Sequence, residues 1–244
     1  MKAILLAGGR GTRISRYVGE LPKCALDIGG ISLIRQIVEM LLKNHIEVSV
    51  VVGYNKEMVI NCLQGLNVKY FYNPFYDVTN SIASLWFAKK ALSGDDILIA
   101  NADVFWEEDI LDVVLSDDQE QVMLMDTSKN ADYLFKCDGT KLLRHGKELT
   151  DVTGEYVGIA KISRTFLNRF VGRLESLIER QQHGLWWENV LYSFIEQIDI
   201  NVKDVVGMFW SEIDFIEDYN KIIEYKAAKN ATVCRKGEKN YYTK

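Results

Sequence analysis

Three glycines and two arginines stand close together near the N-terminus, where they could bind a phosphate group. The segment Gly8-Gly9-Arg10-Gly11-Thr12-Arg13 directly follows a short apolar run. Glycines after a buried strand let backbone N–H groups approach an anion closely, and an arginine adds donors that match phosphate oxygens. The segment lacks the Gly-Lys-Ser/Thr of a P-loop and the third glycine of a dinucleotide fingerprint. A tight turn without a ligand is the alternative, but the flanking arginines favour phosphate.

A lysine follows a proline about ten residues further along, in Leu21-Pro22-Lys23. Proline fixes its own φ angle, so Lys23 is expected in a rigid turn that suits a point charge aimed at a phosphate. Most lysines are solvated surface residues. The glycine segment nearby favours a phosphate contact for this one.

Two aspartates could hold a divalent cation. Asp103 comes shortly after the apolar run Ile97–Ala100, and Asp214 precedes a helical pattern, where helix capping is its alternative role. Chemistry on phosphate groups needs a divalent cation because the reacting oxygens carry much negative charge. Mg²⁺ prefers carboxylate and phosphate oxygens, so Asp103 and Asp214 are candidate ligands for a Mg²⁺ cofactor.

The first half of the chain alternates strands with helices, which would bring these residues to one edge of a sheet. Each predicted strand is a continuous apolar run, as in parallel sheets covered on both faces. We therefore predict an α/β fold with a Rossmann-like, mostly parallel sheet sandwiched by helices. The predicted strands are Ala3–Leu6, Val48–Val52, Val68–Tyr72 and Ile97–Ala100, and the predicted helices are Ile31–Lys43, Met58–Gln64 and Ser81–Leu92.

The pattern changes after Asp103 and predicts a small β insertion. We expect one domain over residues 1–228 and a polar, basic, frayed tail over residues 229–244. The predicted strands in this half are Gln121–Met125, Tyr133–Phe135 and Tyr156–Ile162, and the predicted helices are Phe166–Arg180, Trp187–Gln197 and Ile216–Ala228.

The composition excludes several classes of function. The chain has 244 residues, with 29 Lys and Arg against 34 Asp and Glu, a formal charge of −5. An acidic balance argues against nucleic acid as a partner, and no apolar run reaches the ~18 residues that a membrane span needs. The four cysteines are scattered, which favours free thiols and a cytoplasmic protein. We expect a monomer or a homodimer that contacts neither nucleic acid nor a membrane.

The glycine segment together with Leu21-Pro22-Lys23 resembles the signature of the nucleotidyltransferases that couple a nucleoside triphosphate to a phosphorylated small molecule. Asn101-Ala102-Asp103 and the segment 212–219 are similar to the two metal-binding segments of one branch, the bacterial CTP:phosphocholine cytidylyltransferases. The segments 72–85 and 187–189 are similar to that branch as well. The chain departs from the branch at Asn101, where Asp is frequent, and at Ser81, where Asn is frequent. Both departures bear on the acceptor more than on the reaction.

The resemblance implies a Rossmann-like α/β/α fold with an acceptor-binding β insertion, and a role for each matched residue. Arg13 and Lys23 would be catalytic, and Asp103 and Asp214 would hold the metal. Backbone groups of Leu6–Gly8 and Gly53-Tyr54 would contact the base. The implied nucleotide-binding residues are Leu6, Ala7, Gly8, Gly9, Gly11, Thr12, Gly53, Tyr54, Asn80, Ser81, Ser84 and Ala102.

Two aromatic and acidic clusters, Gly184–Asn189 and Phe209–Glu212, fall in the segments that would bind the acceptor. An aromatic wall with a carboxylate can hold an ammonium group. Core packing is the alternative for the tryptophans, and plain solvent exposure for the lysine. The acceptor-binding candidates are Lys129, Tyr156, Trp187, Glu188, Trp210 and Glu212, with Trp186 in the same cluster.

Together these features predict a Mg²⁺-dependent cytidylyltransferase that uses CTP and a small phosphorylated or phosphonate acceptor. Phosphocholine, aminoethylphosphonate and a phosphorylated amino-acid amide all suit the predicted pocket. A sugar-1-phosphate nucleotidyltransferase is the nearest alternative, because it would share the glycine segment, Lys23 and both aspartates. A catalytically silent, nucleotide-binding regulatory subunit is the alternative from another class.

Overall fold

The computed structural model describes the backbone of residues 1–239, and the side chains of residues 1–14 and 16–231. The strands are β1 (Lys2–Ala7), β2 (Glu47–Val52), β3 (Val68–Tyr72), β4 (Ile97–Asn101), β5 (Val104–Phe105), β6 (Gln121–Asp126), β7 (Leu134–Asp138), β8 (Lys141–Gly146), β9 (Gly154–Ile162), β10 (Asn201–Asp204) and β11 (Ser211–Glu212). The α-helices are α1 (Ser15–Val18), α2 (Leu33–Lys43), α3 (Lys56–Cys62), α4 (Ser81–Phe87), α5 (Glu108–Ser116), α6 (Leu167–Glu179), α7 (Asn189–Tyr192) and α8 (Ile216–Lys239). Short 3₁₀ turns lie at Lys23–Ala25 and Lys89–Ala91.

Nine of these strands form one sheet in the order β3-β2-β1-β4-β9-β6-β10-β8-β7. Strands β3, β2, β1 and β4 are parallel, which confirms the expected Rossmann-like half. Strand β9 is antiparallel to both of its neighbours, β4 and β6. The hairpin β7–β8 extends the sheet beyond β10, and β5 pairs with β11 in a separate two-stranded sheet. The sheet is therefore parallel in its first half and mixed in its second.

Helices cover both faces of this sheet. Along β1, Ala3, Leu5 and Ala7 pack into one core and the intervening Ile4 and Leu6 into the other, because successive side chains of a strand point to opposite faces. The first core is closed by α2, α3, α5 and α8, and the second by α4, α6 and α7. Burial on both faces explains why the central strands are continuous apolar runs.

One edge of the sheet collects the ends of strands from both halves. Strands β1, β2 and β4 end there, at Ala7, Val52 and Asn101. Because β9 runs the other way, its first residues lie at that same edge, with Glu155 opposite Asp126 at the end of β6. The polar residues that follow β1 and β4 therefore meet those that begin β9.

Several predicted elements have different bounds in the structure. The helix expected over Trp187–Gln197 is shorter in the structure, where α7 covers Asn189–Tyr192 and turns flank it. The apolar residues of the segment are buried in these turns rather than along one helical face. The expected helix Ser81–Leu92 ends at Phe87, and a 3₁₀ turn follows. The sequence interpretation also missed α5, β8 and β10.

The closing helix is longer than expected. It continues through Lys239, so residues 229–239 of the expected frayed tail are helical in backbone, and residues 240–244 lie outside the described residues. Of the helices in the described part of the chain, none is both long and apolar enough to span a lipid bilayer. Cys24, Cys62 and Cys137 are free thiols, and the side chain of Cys234 is not among those described.

Gly53 at the end of β2 packs directly against the glycine segment after β1. A Cβ atom on Gly53 would lie 2.6 Å from the Gly8 carbonyl oxygen and 2.8 Å from the Tyr76 Cβ. We predict that Gly53→Ala lowers the free energy of unfolding by about 1–3 kcal/mol, because the neighbouring backbone must move. Urea unfolding measures this loss.

Gly172 inside α6 supplies a matched control. A Cβ there would meet no atom within 4 Å, so Gly172→Ala should stabilise the protein by about 0.5–1 kcal/mol through helix propensity. Equal effects of the two substitutions would contradict the close packing of Gly53.

Candidate active site

A cleft of about 470 Å³ opens at the edge of the sheet where β1 and β4 end and β9 begins. It brings together most of the residues singled out from the sequence. Those that line it are Leu6, Gly8, Gly9, Gly11, Thr12, Arg13, Lys23, Asn80, Ser81, Ser84, Asp103, Tyr156, Glu188, Glu212 and Asp214. They come from the whole length of the chain and from both halves of the sheet.

Four of the expected nucleotide-binding residues, Ala7, Gly53, Tyr54 and Ala102, do not line the cleft. Ala7 and Ala102 are buried, and the Ala102 backbone N–H donates to the Leu6 carbonyl at 3.1 Å. The Tyr54 backbone N–H donates to the Gly8 carbonyl at 3.1 Å. These two bonds hold the backbone of the glycine segment in place.

Lys23 is the centre of the charged part of the cleft. It begins the 3₁₀ turn Lys23–Ala25, which follows Pro22. Its ammonium lies 2.5 Å from an Asp214 carboxylate oxygen and 3.3 Å from an Asp103 oxygen, and Arg13 also pairs with Asp214. Gly11 makes room for this lysine, since a Cβ there would lie 2.7 Å from the Lys23 Cγ, and its φ of +62° is one that glycine adopts readily. The glycine segment, the lysine and the two aspartates are thus one packed unit.

The charged side chains of this unit shift one another's pKa values. Burial lowers the pKa of the Lys23 ammonium, but attraction to Asp103 and Asp214 outweighs burial and places that pKa above its ordinary value. Burial would raise the pKa of Asp214, yet the Lys23 ammonium holds it below 3.8. Burial and the two aspartates together raise the pKa of Glu212 well above 4.5. Negative potential therefore dominates beside Lys23, which favours a further cation.

The donor set fits Mg²⁺. Asp103 and Asp214 present carboxylate oxygens to the same ammonium, so a small cation could be shared between them. In the part of the chain that the structure describes, His, Cys, Asp and Glu side chains form no group of three or more that could hold a metal alone. Mg²⁺ in phosphate-handling sites commonly takes one or two carboxylates and completes its shell with phosphate and water. Two aspartates beside a phosphate-binding segment meet that requirement.

Trp187 has a role that differs from the expected one. Its side chain is fully buried and does not line the cleft. Its indole N–H donates to the Asn101 side-chain oxygen at 3.0 Å, and its backbone N–H donates to the Ser81 hydroxyl at 2.9 Å. This corrects the expectation that Trp187 forms an aromatic wall, because the residue holds two polar side chains of the cleft in position.

Asn101 connects this network to a buried acid. Its amide donates to a Glu188 carboxylate oxygen at 3.4 Å. Burial raises the pKa of Glu188 to about 7. Asn80, at the N-cap of α4, accepts the Ser81 backbone N–H at 2.8 Å. The side chain of Asn101 thus links the Trp187 indole to the Glu188 carboxylate.

Aromatic residues line the other end of the cleft: Tyr156 and Trp186 belong to segments singled out from the sequence, whereas Tyr133 and Tyr192 were not indicated by it. Trp186, next to Trp187, is the tryptophan that lines the cleft. Tyr133 packs edge-on against Trp186 at 5.2 Å and stacks on Tyr192 at 5.9 Å, ring centroid to ring centroid. Lys147, just after β8, lies 5.3 Å from the Trp186 ring centroid and pairs with Asp132 at 2.8 Å. No local signal could have found this set, since the pairing of β7, β8 and β9 assembles it.

Lys129 and Trp210 line a neighbouring cavity, which shares Arg13, Glu212 and Asp214 with the cleft. The Lys129 ammonium donates to the Trp210 carbonyl at 2.7 Å and sits 3.7 Å from the centroid of its ring. The Trp210 indole N–H donates to Asp126 at 2.8 Å. Burial lowers the pKa of Lys129. The cation that faces Trp210 is therefore supplied by the protein itself.

Comparison with known proteins gives a consistent result. The model of the MobA-like NTP transferase domain matches residues 3–182. The chain is 25% identical to CTP:phosphoglutamine cytidylyltransferase of Campylobacter jejuni subsp. jejuni over 253 aligned positions, covering 92% of this chain and 100% of that protein. It is 24% identical to choline-phosphate cytidylyltransferase of Streptococcus pneumoniae, covering 94% and 100%. The solved structure of CTP:phosphocholine cytidylyltransferase from Streptococcus pneumoniae superposes with a TM-score of 0.76 at 22% identity, covering 92% and 98%, which shows a shared fold.

The pairing of Lys23 predicts a pH-dependent loss of stability in the metal-free protein. Lys23→Met leaves Asp103 and Asp214 without their main counter-ion and should cost about 3 kcal/mol at pH 7. Because the folded pKa of Asp214 lies below its unfolded value, this stabilisation is present above about pH 4 and is lost as the pH falls through the lowered pKa. Urea unfolding in EDTA at pH 7 and at pH 3.5 should therefore show a smaller difference at the lower pH.

Lys69→Met is the matched control. Lys69 pairs with Glu47 at 2.6 Å, but both side chains are largely exposed, so its removal should cost less than about 1 kcal/mol. A loss for Lys23→Met that is equally small, or that does not change with pH, would contradict the central place of the Lys23 ammonium.

Proposed function

The chain belongs to the MobA-like NTP transferase family, and we propose that it is a Mg²⁺-dependent cytidylyltransferase that joins CMP from CTP to a small phosphorylated or phosphonate acceptor. One observation carries this proposal: the Lys23 ammonium lies between Asp103 and Asp214, against the glycine segment, at the mouth of one cleft. The similar Campylobacter and Streptococcus proteins named above are cytidylyltransferases that act on phosphoglutamine and on phosphocholine. Both are matched along their full length.

The reaction is a displacement at the α-phosphorus of CTP. A phosphate or phosphonate oxygen of the acceptor attacks that phosphorus, and the bond to pyrophosphate breaks as pyrophosphate leaves in line. The acceptor itself is the nucleophile, so no side chain of the protein needs to form a covalent intermediate. The contribution of the protein is to position the two substrates and to neutralise charge.

The described residues divide these tasks between them. Backbone N–H groups of Gly8–Thr12 hold the triphosphate, and Arg13 and Lys23 stabilise the negative charge that develops on the reacting phosphates. Asp103 and Asp214 would hold Mg²⁺, which when bound supplies Lewis-acid neutralisation of phosphate oxygens.

The base would lie at the inner part of the cleft. Gly8 packs close to the Ser84 hydroxyl, which is where a Cβ on Gly8 would have its nearest contact, at 3.4 Å. Ser84 also receives a hydrogen bond from the buried Asn73 amide at 3.0 Å. Asn80 and Ser81 line the same stretch of wall. These fixed polar groups suit the edge of a pyrimidine.

The aromatic end of the cleft suits an acceptor with an ammonium group. Trp186, Tyr133 and Tyr156 line it, and buried Glu188 lies beside them. Aromatic faces attract cations, and a carboxylate adds charge attraction. Among the described residues that line the cleft, the acidic side chains are Asp103, Asp132, Glu155, Glu188, Glu212 and Asp214, and the basic ones are Arg13, Lys23 and Lys147.

Lys147 is placed to bind the phosphate of the acceptor. Of the three basic residues that line the cleft, Arg13 and Lys23 pair with Asp214, whereas Lys147 stands at the aromatic end and pairs with Asp132, whose side chain is 41% exposed. An acceptor phosphate that approaches a triphosphate is repelled by it and needs a cation on its own side. Lys129 is held by Trp210 in the neighbouring cavity.

The first test is release of pyrophosphate with Mg²⁺, each of the four ribonucleoside triphosphates, and a panel of acceptors. The panel holds phosphocholine, aminoethylphosphonate, phosphorylated amino-acid amides and sugar 1-phosphates. We expect release with CTP and an ammonium-bearing acceptor, and a loss of turnover of about 100-fold or more in Lys23→Ala. Release only with a sugar phosphate or with UTP would contradict the acceptor or the nucleotide assignment. Binding of CTP without release of pyrophosphate from any acceptor would favour a regulatory subunit.

The second test separates the two lysines. Lys147→Met should raise the KM for the acceptor by about 10- to 100-fold, because it loses a charge-assisted bond to phosphate, and should leave the KM for CTP unchanged. Lys129→Met should leave both constants near the original values. If the KM for the acceptor rises in Lys129→Met alone, the assignment is wrong and Lys129 binds the acceptor phosphate.

A further inference from the structure

Two tyrosine hydroxyls at the aromatic end of the cleft have no hydrogen-bond partner. The Tyr156 and Tyr192 hydroxyls are enclosed and unpaired, although both side chains line the cleft and are more than nine-tenths buried. The Tyr133 hydroxyl beside them is paired with His145 Nδ1 at 2.9 Å. A buried hydroxyl without a hydrogen-bond partner is unfavourable, so a bound group that pairs with these two hydroxyls would gain affinity.

A third oxygen with open capacity belongs to Glu188. Its side chain is buried, and among the described side chains only the Asn101 amide donates to it, at the long distance of 3.4 Å. A buried carboxylate ordinarily accepts several short hydrogen bonds. Besides its own backbone N–H, Glu188 therefore has one long hydrogen bond from a side chain, and its oxygens can accept more.

These three groups belong to one neighbourhood. The Tyr156 and Tyr192 rings both pack on Phe135, with centroids 5.2 Å and 6.1 Å from it. After burial itself, the Glu188 charge is the largest influence that raises the pKa of both phenols. The three side chains that carry these groups thus line one end of the cleft, and the two hydroxyls are enclosed behind its surface.

This arrangement distinguishes between kinds of ammonium group. A primary ammonium has three N–H donors, which matches two hydroxyl oxygens and one carboxylate. A trimethylammonium has no N–H donor, so it would gain charge attraction and aromatic contact but leave all three oxygens unpaired. A site that hydrogen-bonds its substrate strongly rejects an analogue without the donors, because its own polar groups are then left unpaired. An apolar site discriminates much less between ligands that differ only in size.

We propose that the acceptor carries a primary ammonium group, and that Tyr156, Tyr192 and Glu188 select it over a trimethylammonium group. This specificity rests on the proposed function. An aminoalkyl phosphate ester and an aminoalkyl phosphonate share the same head group, so both belong to the class, and the experiment below separates them.

The test is a graded series of acceptors at saturating CTP and Mg²⁺. The series is phosphoethanolamine, its N-methyl and N,N-dimethyl forms, and phosphocholine, with 2-aminoethylphosphonate as the phosphonate arm. We expect kcat/KM to fall with each methyl group, by about 100-fold across the series, since each methyl removes one N–H donor. The better of the two unmethylated compounds identifies the phosphate or the phosphonate source.

Variants that remove only a hydroxyl locate the selectivity. Tyr156→Phe and Tyr192→Phe should each lower kcat/KM for the primary ammonium acceptor by about 10-fold and change that for phosphocholine by no more than about 2-fold. Tyr225→Phe is the matched control, because its hydroxyl bonds Glu107 at 2.7 Å outside the cleft, and it should leave the whole series unchanged.

Thermal unfolding checks the variants without any assay of activity. The hydroxyls of Tyr156 and Tyr192 have no partner to lose, so both Phe variants should melt at the same or a higher temperature than the original protein. Tyr225→Phe loses a hydrogen bond and should melt lower. Clear destabilisation by both cleft variants would show that their hydroxyls are paired within the protein, and would overturn the proposal.

Two further outcomes separate this proposal from the proposed function. Phosphocholine used as well as phosphoethanolamine, with normal turnover of CTP, would overturn the specificity and leave the cytidylyltransferase standing. Absence of turnover with every acceptor of the series would also overturn the specificity. Calorimetric titration with CTP then tests whether the protein binds the nucleotide. Binding of CTP would keep the nucleotide site, whereas absence of binding would remove both proposals.

Discussion

The ammonium of Lys23 is the point on which the charged part of the molecule depends. It joins two carboxylates that lie 80 and 191 residues away along the chain. Asp103, Asp214 and the partly buried Glu212 would repel one another in a poorly solvated cleft without a cation among them. The glycine segment accommodates that cation, because Gly11 leaves room for the lysine stem. The glycine segment, the turn after Pro22, the end of β4 and the start of α8 are thereby fixed around one atom.

The direction of a single strand brings the second half of the cleft to this charged unit. Had β9 run parallel to β4, its first residues would lie at the opposite edge, and Glu155 and Tyr156 would be far from Lys23. Because β9 is antiparallel to β4 and β6, its N-terminal end meets the carboxyl ends of β1 and β4. The hairpin β7–β8 then pairs with β9 and carries Tyr133 and Lys147 to the same place. One reversal in the sheet thus creates a cleft with a phosphate end and an aromatic end.

The sequence predicts a feature when a short stretch of residues determines it, and fails when pairings between distant strands determine it. The glycine segment and Asp103 each follow a continuous apolar strand, whose end indicates from the sequence that they lie at the edge where the cleft opens. The choice between Trp186 and Trp187 could not be made, since neighbouring residues differ only in which way the chain turns, and the structure buries Trp187. The place of Lys147 in the cleft could not be predicted for a similar reason, because the register of β7, β8 and β9 is set by pairings distant in sequence.

Trp210 shows why composition alone is a weak guide to a ligand. The sequence offers an aromatic ring beside acids, which is the composition of an ammonium site, yet that ring already holds the Lys129 ammonium 3.7 Å from its centroid. Its indole N–H is likewise satisfied by Asp126. At the aromatic end of the cleft the rings are as numerous, but the hydroxyls of Tyr156 and Tyr192 are unpaired. Folding selects against buried polar groups without partners, so their presence in a cleft is better evidence for a bound group than any count of aromatic residues.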